Sequence, residues 1–447
     1  MSMSGSSGSG PESVAKPDPL LATGSLYADT AGPGPVTSSP TQDIETGTLI
    51  VGAGITGVSA GLWLAGSGHD VTIVDAETVG WGASGRNGGQ VNPGLKMLPS
   101  QVEHHFGPER GRRLSVAAWN APDLVFALIE KHKIACDAAR GGTIRAATAA
   151  SQLPALERLT DECRARGGEA EWLNRSQMTA RTGTGRYCGG MIDRRGGQLN
   201  PLLYVRGLAS AAAKRGARIY SGTRITALAR EGGIWVATTN GGRTIRAKTV
   251  VLGTNGYTDS LCPGLSTSIV PVYSAIIATE PLPERLRNAV LTSREVLYEL
   301  GEITVYYRVD GAGRLLIGGR SASRPLSGEA AFPTLRHLAH RLWPGLAGTT
   351  WTHGWNGQLA MTSDHYPHWH EPAPGIIACL GYNGRGVAMA TLLGHDIARR
   401  AEGAPAEELL LPATAIRPIS LHRFWKTGVA ARVALGQWRD RRAMDAG

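Results

Sequence analysis

Short apolar runs alternate with helical stretches along the chain, and this alternation predicts its organisation. Thr48-Leu-Ile-Val51 is apolar after its first residue. That is the pattern of a short parallel strand covered on both faces. It opens into Gly52-Ala-Gly54-Ile-Thr-Gly57, an apolar helix ending near Ser67 and Gly68, and a second apolar run, Val71-Thr-Ile-Val74. Strand, helix and strand within about 30 residues make a βαβ unit. From Gly216 the period shortens to strands: Ala217 to Tyr220, Arg224 to Leu228, Ile234 to Thr238, Arg243 to Arg246 and Thr249 to Leu252. Glu231-Gly-Gly233 and Asn240-Gly-Gly242 supply hairpin turns. Ile269 to Tyr273, Ser274 to Thr279 and Leu315 to Gly318 predict strands of a second, mixed sheet. Ile376 to Leu380 is a further strand, followed by a loop and a small-residue helix from Ala388 to Ala401.

The loop of the first unit carries chemistry. Gly52 permits a tight turn out of the strand, Gly54 lets a pyrophosphate approach bare backbone, and Gly57 allows close packing of helix on sheet. Free N–H groups and a positive dipole end at the helix start, near Ile55, favour phosphate. Asp75, followed by Ala76, closes the second strand, where a carboxylate accepts from ribose hydroxyls and repels a 2′-phosphate. Gly57-Val-Ser59-Ala-Gly61 matches a serine-hydrolase elbow in letters only, because Ser59 falls inside the predicted helix rather than on the turn.

Downstream loops point to FAD rather than NAD. Gly80-Trp-Gly82-Ala83-Ser84-Gly-Arg86-Asn87-Gly88-Gly89-Gln90 is a small-residue loop suited to wrap a pyrophosphate and pass beneath an isoalloxazine, with Arg86 offsetting phosphate charge. Ile225 in the meander, the turn Gly253-Thr254-Asn255-Gly256, and Gly381-Tyr-Asn383-Gly384-Arg385-Gly386-Val387 are further candidate contacts. The last of these opens a second helix N-terminus, which favours the negative charge of a reduced flavin. No second G-x-G-x-x-G opens a βαβ unit, which disfavours a flavoenzyme reduced by NAD(P)H.

Composition changes this picture little. Hydrophobic residues at 42% and charged residues at 18% fit a soluble globular chain. No apolar run approaches the roughly 18 residues of a membrane helix. The polar start, MSMSGSSGSGPESVAKPDP, lacks a signal-peptide core and predicts a disordered tail, so the expected location is the cytoplasm. Cys136, Cys163, Cys188, Cys262 and Cys379 are scattered, which predicts buried reduced thiols rather than disulfides or zinc. His365, His368 and His370 lack a carboxylate or cysteine at ligand spacing, and no metal is expected. The net charge is +10, yet from Pro412 onward seven Arg and Lys face only Asp440 and Asp445. The basicity therefore belongs partly to the C-terminal segment and carries no nucleic-acid motif. Leu421 to Trp438 predicts an amphipathic helix that docks on the body, on a partner copy or on an anionic surface.

Together these segments resemble the FAD-dependent D-amino-acid oxidase superfamily, which includes glycine and sarcosine oxidases. The resemblance runs from about Ser25 to Gly403 and includes Trp355 to Pro367 (WNGQLAMTSDHYP). It is nearest in pattern to the gamma-glutamylputrescine oxidoreductase branch. It implies an α/β fold in which a glutathione-reductase-type FAD-binding Rossmann domain is interleaved with a mixed-sheet substrate domain. The expected FAD segments are 45–95, 190–265 and 353–405, and the expected substrate segments are 96–189 and 266–352. Residues 1–44 form a disordered or extended segment in this scheme, and 406–447 a basic extension. Gly357 stands where some members carry a flavin-linking cysteine, which implies non-covalent FAD. Ala388 stands where some place a substrate-binding lysine, which implies an amine without a nearby carboxylate, such as a polyamine derivative. Tyr306, Tyr307, Trp355 and Tyr382 are the expected walls of the substrate site, and Arg308, Asn383 and Arg385 expected polar contacts to flavin or substrate. The implied reaction oxidises a C–N bond to an imine that hydrolyses, with O2 or another acceptor taking the electrons. An amino-acid oxidase, a dehydrogenase subunit and a non-catalytic flavin protein are the alternatives.

Overall fold

The computed structural model describes residues 24–35 and 37–445; the predicted tail up to Pro19 lies outside them. Two eight-stranded sheets organise the molecule. In the first, Ile44–Val51 lies between Val71–Val74 and Thr244–Leu252, parallel to both. Arg218–Tyr220 extends one edge, and Ile376–Leu380 followed by antiparallel His368–His370 extends the other. Val71–Val74 is buried at every position, as expected of a parallel strand covered on both faces. The first strand starts four residues before the apolar run, because Ile44, Glu45 and Thr46 pair with Ile245, Arg246 and Ala247. The meander forms as expected: Ile225–Glu231, Ile234–Thr239 and Thr244–Leu252 are antiparallel neighbours. Gly232 and Gly233, both at positive φ, make its first turn. The two runs at 243–246 and 249–252 are one continuous strand.

The second sheet runs in the order Trp351–Met361, Val270–Pro281, Arg314–Arg320, Tyr306–Val309, Val296–Leu300, Thr143–Ala147, Gly189–Asp193 and Ala170–Asn174. Trp351–Met361, expected from His353 onward in the third FAD segment, hydrogen-bonds along its length to Val270–Pro281 and so belongs to this sheet. The chain passes repeatedly between the two sheets, as interleaving requires.

Residues 24–44 are not simply extended. Leu26–Thr30 is a helix capped by Ser25, and Tyr27 is buried against Trp355 with ring centroids 5.1 Å apart. The C-terminal helix spans Trp425–Asp445, and its apolar residues do not segregate to one face: Leu435 and Trp438 are exposed, whereas Gly436 is buried. The expected amphipathic helix is therefore corrected to one that touches the body along a narrow stripe. Among the described residues, no helix is long and apolar enough to cross a membrane. Cys136, Cys163, Cys262 and Cys379 are buried and Cys188 is half-buried, all as free thiols; burial pushes Cys136 and Cys379 up to about 12.

Candidate active site

The strand end at Val51 turns through Gly52 at φ +109°, a conformation that suits glycine. The helix Ile55–Gly66 then starts without a side-chain cap from Gly54. A Cβ on Gly57 would overlap the Gly52 carbonyl oxygen, so this glycine sets the fit of helix to turn rather than touching ligand. Asp75 accepts from the Ala53 N–H at 2.7 Å and the Glu77 N–H at 2.9 Å, which aims its carboxylate at the same turn. Burial pushes its pKa up, and these two N–H groups oppose that shift. The Ser84 hydroxyl accepts from the Ile55 N–H at 2.9 Å and so brings the 80–90 loop onto the helix start. Asn87 braces that loop internally, through Ala83 O, Ser84 O and the Gly89 N–H.

A second helix, Gly386–Ala401, points its start into the same space, also without a side-chain cap. The two helix starts are joined: the Tyr382 and Thr56 hydroxyls lie 2.7 Å apart, and Ser59 donates to the Thr391 carbonyl at 2.9 Å. Ser59 is thus a packing residue, as its position inside the helix implies.

Between the sheets lies a cavity of about 930 Å³, near the upper end of the roughly 300–1,000 Å³ of small-molecule sites. Gly52, Gly54, Ile55, Asp75, Ala76, Gly82, Ala83, Ser84, Arg86, Asn87, Gly88, Gln90, Ile225, Thr254, Asn255, Asn383, Gly384, Arg385, Gly386 and Val387 line it. Gly57, Gly256 and Gly381 do not. Gly256 is pressed on the backbone of 358–360, and the Gly381 N–H donates to the Asn255 side chain at 2.9 Å. Asn383 lines the cavity, but its side-chain oxygen accepts from the Thr362 N–H at 3.0 Å, so it locks its own loop.

Three of the expected substrate contacts need correction. Tyr307 is fully buried in the core of the second sheet, its ring 4.9 Å from Trp343. Trp355 is also fully buried and donates to the Arg86 carbonyl at 3.0 Å. Arg308 donates to Gly88 O at 2.8 Å, Gln198 Oε1 at 2.7 Å and Tyr27 Oη at 3.1 Å, and so supports the 86–90 loop from behind. Tyr382 does line the cavity, with its hydroxyl committed to Thr56. Tyr306 is the roof tyrosine: its ring packs where a Gly88 Cβ would stand, and its hydroxyl lies 2.8 Å from that of Ser274.

Arg385, expected on the sequence, and three residues missed there give the roof end its charge. Lys96, Arg145, Arg320 and Arg385 all line it, with Lys96 and Arg145 each within electrostatic range of Arg385. Arg385 Nη2 donates to Tyr298 Oη at 2.6 Å, and its guanidinium carbon lies 4.6 Å from the Tyr298 ring centroid. Its Nη1 is buried without a hydrogen-bond partner. Glu299 lines the same end but is neutralised by a two-pronged ion pair with Arg186 at 2.6 and 3.0 Å. Ala388 does not line the cavity, so its lack of a cation says nothing about the substrate. An arginine inside the otherwise uncharged strand Thr143–Ala147 was the available signal for Arg145.

Two of the three histidines are committed elsewhere. His368 lies 3.1 Å from Asp364, and His370 Nδ1 lies 2.8 Å from the Thr414 carbonyl. Burial raises the Asp364 carboxyl, but hydrogen bonds from His368 and the Tyr366 N–H win and hold it at about 2. Its stabilising effect is present above the ordinary Asp value of about 3.9 and is lost as pH falls to about 2. Asp364→Asn should flatten that part of an acid-unfolding curve and lower stability above about pH 4 to the level the wild type reaches in acid.

The glycine-bared helix start, the carboxylate at the second strand end and the second helix start fit a dinucleotide with a flavin at its far end. The sequence profile of the DAO family, FAD dependent oxidoreductase, matches residues 48–400. The chain belongs to this family. It is an FAD-dependent oxidoreductase, related to enzymes that act on C–N donors. A probable oxidoreductase OrdL of Rhizobium meliloti is 33% identical over 367 residues, 81% of this chain and 84% of the relative. Gamma-glutamylputrescine oxidoreductase of Escherichia coli is 28% identical over 383 residues, 85% of this chain and 89% of the relative. Glycine oxidase from Geobacillus kaustophilus shares the fold, with a TM-score of 0.70 and 24% identity over 84% of this chain and all of that one. In this DAO chain Asp75 is the carboxylate held at the first glycine turn. Asp75→Asn should weaken FAD about ten-fold, about 1.4 kcal/mol, in a fluorescence titration of the apoprotein.

Proposed function

We propose that this enzyme oxidises the C–N bond of an amine that also carries a carboxylate, a gamma-glutamylated diamine being one such compound, and that water then hydrolyses the imine to a carbonyl compound and a free amine. The observation that carries the reading is the cluster of Lys96, Arg145, Arg320 and Arg385 at the roof end, with one guanidinium nitrogen unpartnered. Bound FAD supplies the two-electron acceptor. The chain's residues bind and orient. Arginines fork onto a carboxylate, and Tyr298 and Tyr306 supply aromatic walls. The same cations disfavour an ammonium nearby, so the substrate nitrogen is held neutral, as loss of a hydride from its carbon requires.

FAD is held without a covalent bond in this reading, since Gly357 at the cavity wall offers no nucleophile. Acid precipitation should leave the yellow colour in solution; colour in the pellet overturns this point. The substrate reading is tested anaerobically, by mixing the holoenzyme with amines that do and do not carry a carboxylate and following the flavin absorbance. Bleaching by the carboxylate-bearing amines is expected. Equal bleaching by simple diamines would overturn the role given to the cations. Readmitting air then separates O2 from another acceptor through peroxide yield.

A further inference from the structure

The loop Gly301–Thr304 joins the strands Val296–Leu300 and Tyr306–Val309 and lines the cavity through Gly301, Glu302 and Thr304. Its backbone is secured from outside the family-matched region. The Asp440 carboxylate accepts from the Glu302 and Ile303 N–H groups, each at 3.0 Å. Arg432 and Arg439 pair with the Glu302 carboxylate at 3.0 and 3.3 Å. Gly436 is buried on this loop, where an added Cβ would lie 2.9 Å from that of Glu302. All these groups belong to the helix Trp425–Asp445, which lies beyond residue 400, leaves Leu435 and Trp438 exposed, and contributes none of its described side chains to the cavity wall. Its contacts concentrate on one short segment of the cavity rim.

We propose that this C-terminal helix sets the rim of the substrate cavity, with Asp440 and Glu302 as positioning residues. Two effects follow. Asp440 fixes the loop backbone, which limits access to the flavin. Arg432 and Arg439 occupy the charge of Glu302, which lies within electrostatic range of Lys96 and would otherwise compete with a substrate anion for it. The second effect rests on the carboxylate reading above; the first does not.

The test compares the full-length holoenzyme with a form ending at Ser420, with Asp440→Ala, and with the shortened form also carrying Glu302→Gln. Acrylamide quenching of flavin fluorescence reads access without any substrate. It should rise about two-fold in the shortened form and in Asp440→Ala, as for a loosened lid. Acetate affinity, read from the flavin spectrum, should weaken about three-fold in the shortened form, the size of an exposed ion-pair effect. Glu302→Gln should restore acetate affinity but not the quenching. Unchanged quenching in Asp440→Ala overturns the proposal even if the shortened form fails to fold. Increased quenching with no change in acetate affinity overturns the charge effect and keeps the positional one.

Discussion

Gly57→Ala should yield a protein that purifies without colour. The added methyl overlaps the Gly52 carbonyl oxygen and lies 3.0 Å from Ile50 Cγ2. The first obstacle is backbone, and it cannot retreat: Gly52 already holds a positive φ, and its own Cβ position is 3.0 Å from Gly253 O. The helix must lift off the strand, and with it the N–H groups aimed at the pyrophosphate. Overpacking of this kind costs about 1–3 kcal/mol, and more when backbone must move. Since lifted N–H groups also stop binding, flavin per protein should fall more than about ten-fold. Gly61→Ala, one turn on, meets only side-chain carbons, Ile73 Cδ1 and Cγ1 at 2.5 and 3.2 Å and Ile50 Cδ1 at 3.6 Å, and should keep most of its flavin. The ratio of visible to ultraviolet absorbance checks both. Equal flavin content in the two variants would refute this account of the turn.

Arg385→Met should lower kcat/KM for a carboxylate-bearing amine by about 30- to 150-fold, the 2–3 kcal/mol of a charged hydrogen bond lost in a desolvated site. Methionine keeps the apolar stem and removes the guanidinium, so the free Nη1 donor, the charge and the hydrogen bond to Tyr298 all go. The same substrate with its carboxylate converted to an amide should lose little further activity in the variant. Steady-state kinetics on the acid and amide pair decides the matter. An equal loss on both would assign Arg385 to the flavin instead.

The cofactor half of the site was legible because its information is local. Three glycines and an acid at set offsets specify a turn, a helix start and a carboxylate held at that turn within one βαβ unit. The roof half was not, because strand residues alternate faces. Tyr306 and Tyr307 are neighbours in sequence, yet one faces the flavin loop and the other the core of the opposite side. Without the register that pairs Tyr306 with Gly318, nothing in the sequence distinguishes them. Trp355 and Arg308 had the right composition for a site and serve instead as supports behind the 86–90 loop. Lys96, Arg145 and Arg320 come from three separated segments, so only the folded chain collects them. Ala388 misled for a related reason: on a helix, Val387 and Ala390 turn toward the cavity and Ala388 turns away.

The bond between Thr56 and Tyr382 spans 326 positions of the chain. The strand Ile376–Leu380 also completes the edge of the sheet beside Thr244–Leu252. A nascent polypeptide leaving the ribosome therefore exposes its phosphate-binding turn early but lacks the opposing helix until nearly nine-tenths of the chain has been made. FAD should be captured at the close of synthesis rather than during it, and ribosome-stalled chains ending before residue 376 should emerge empty.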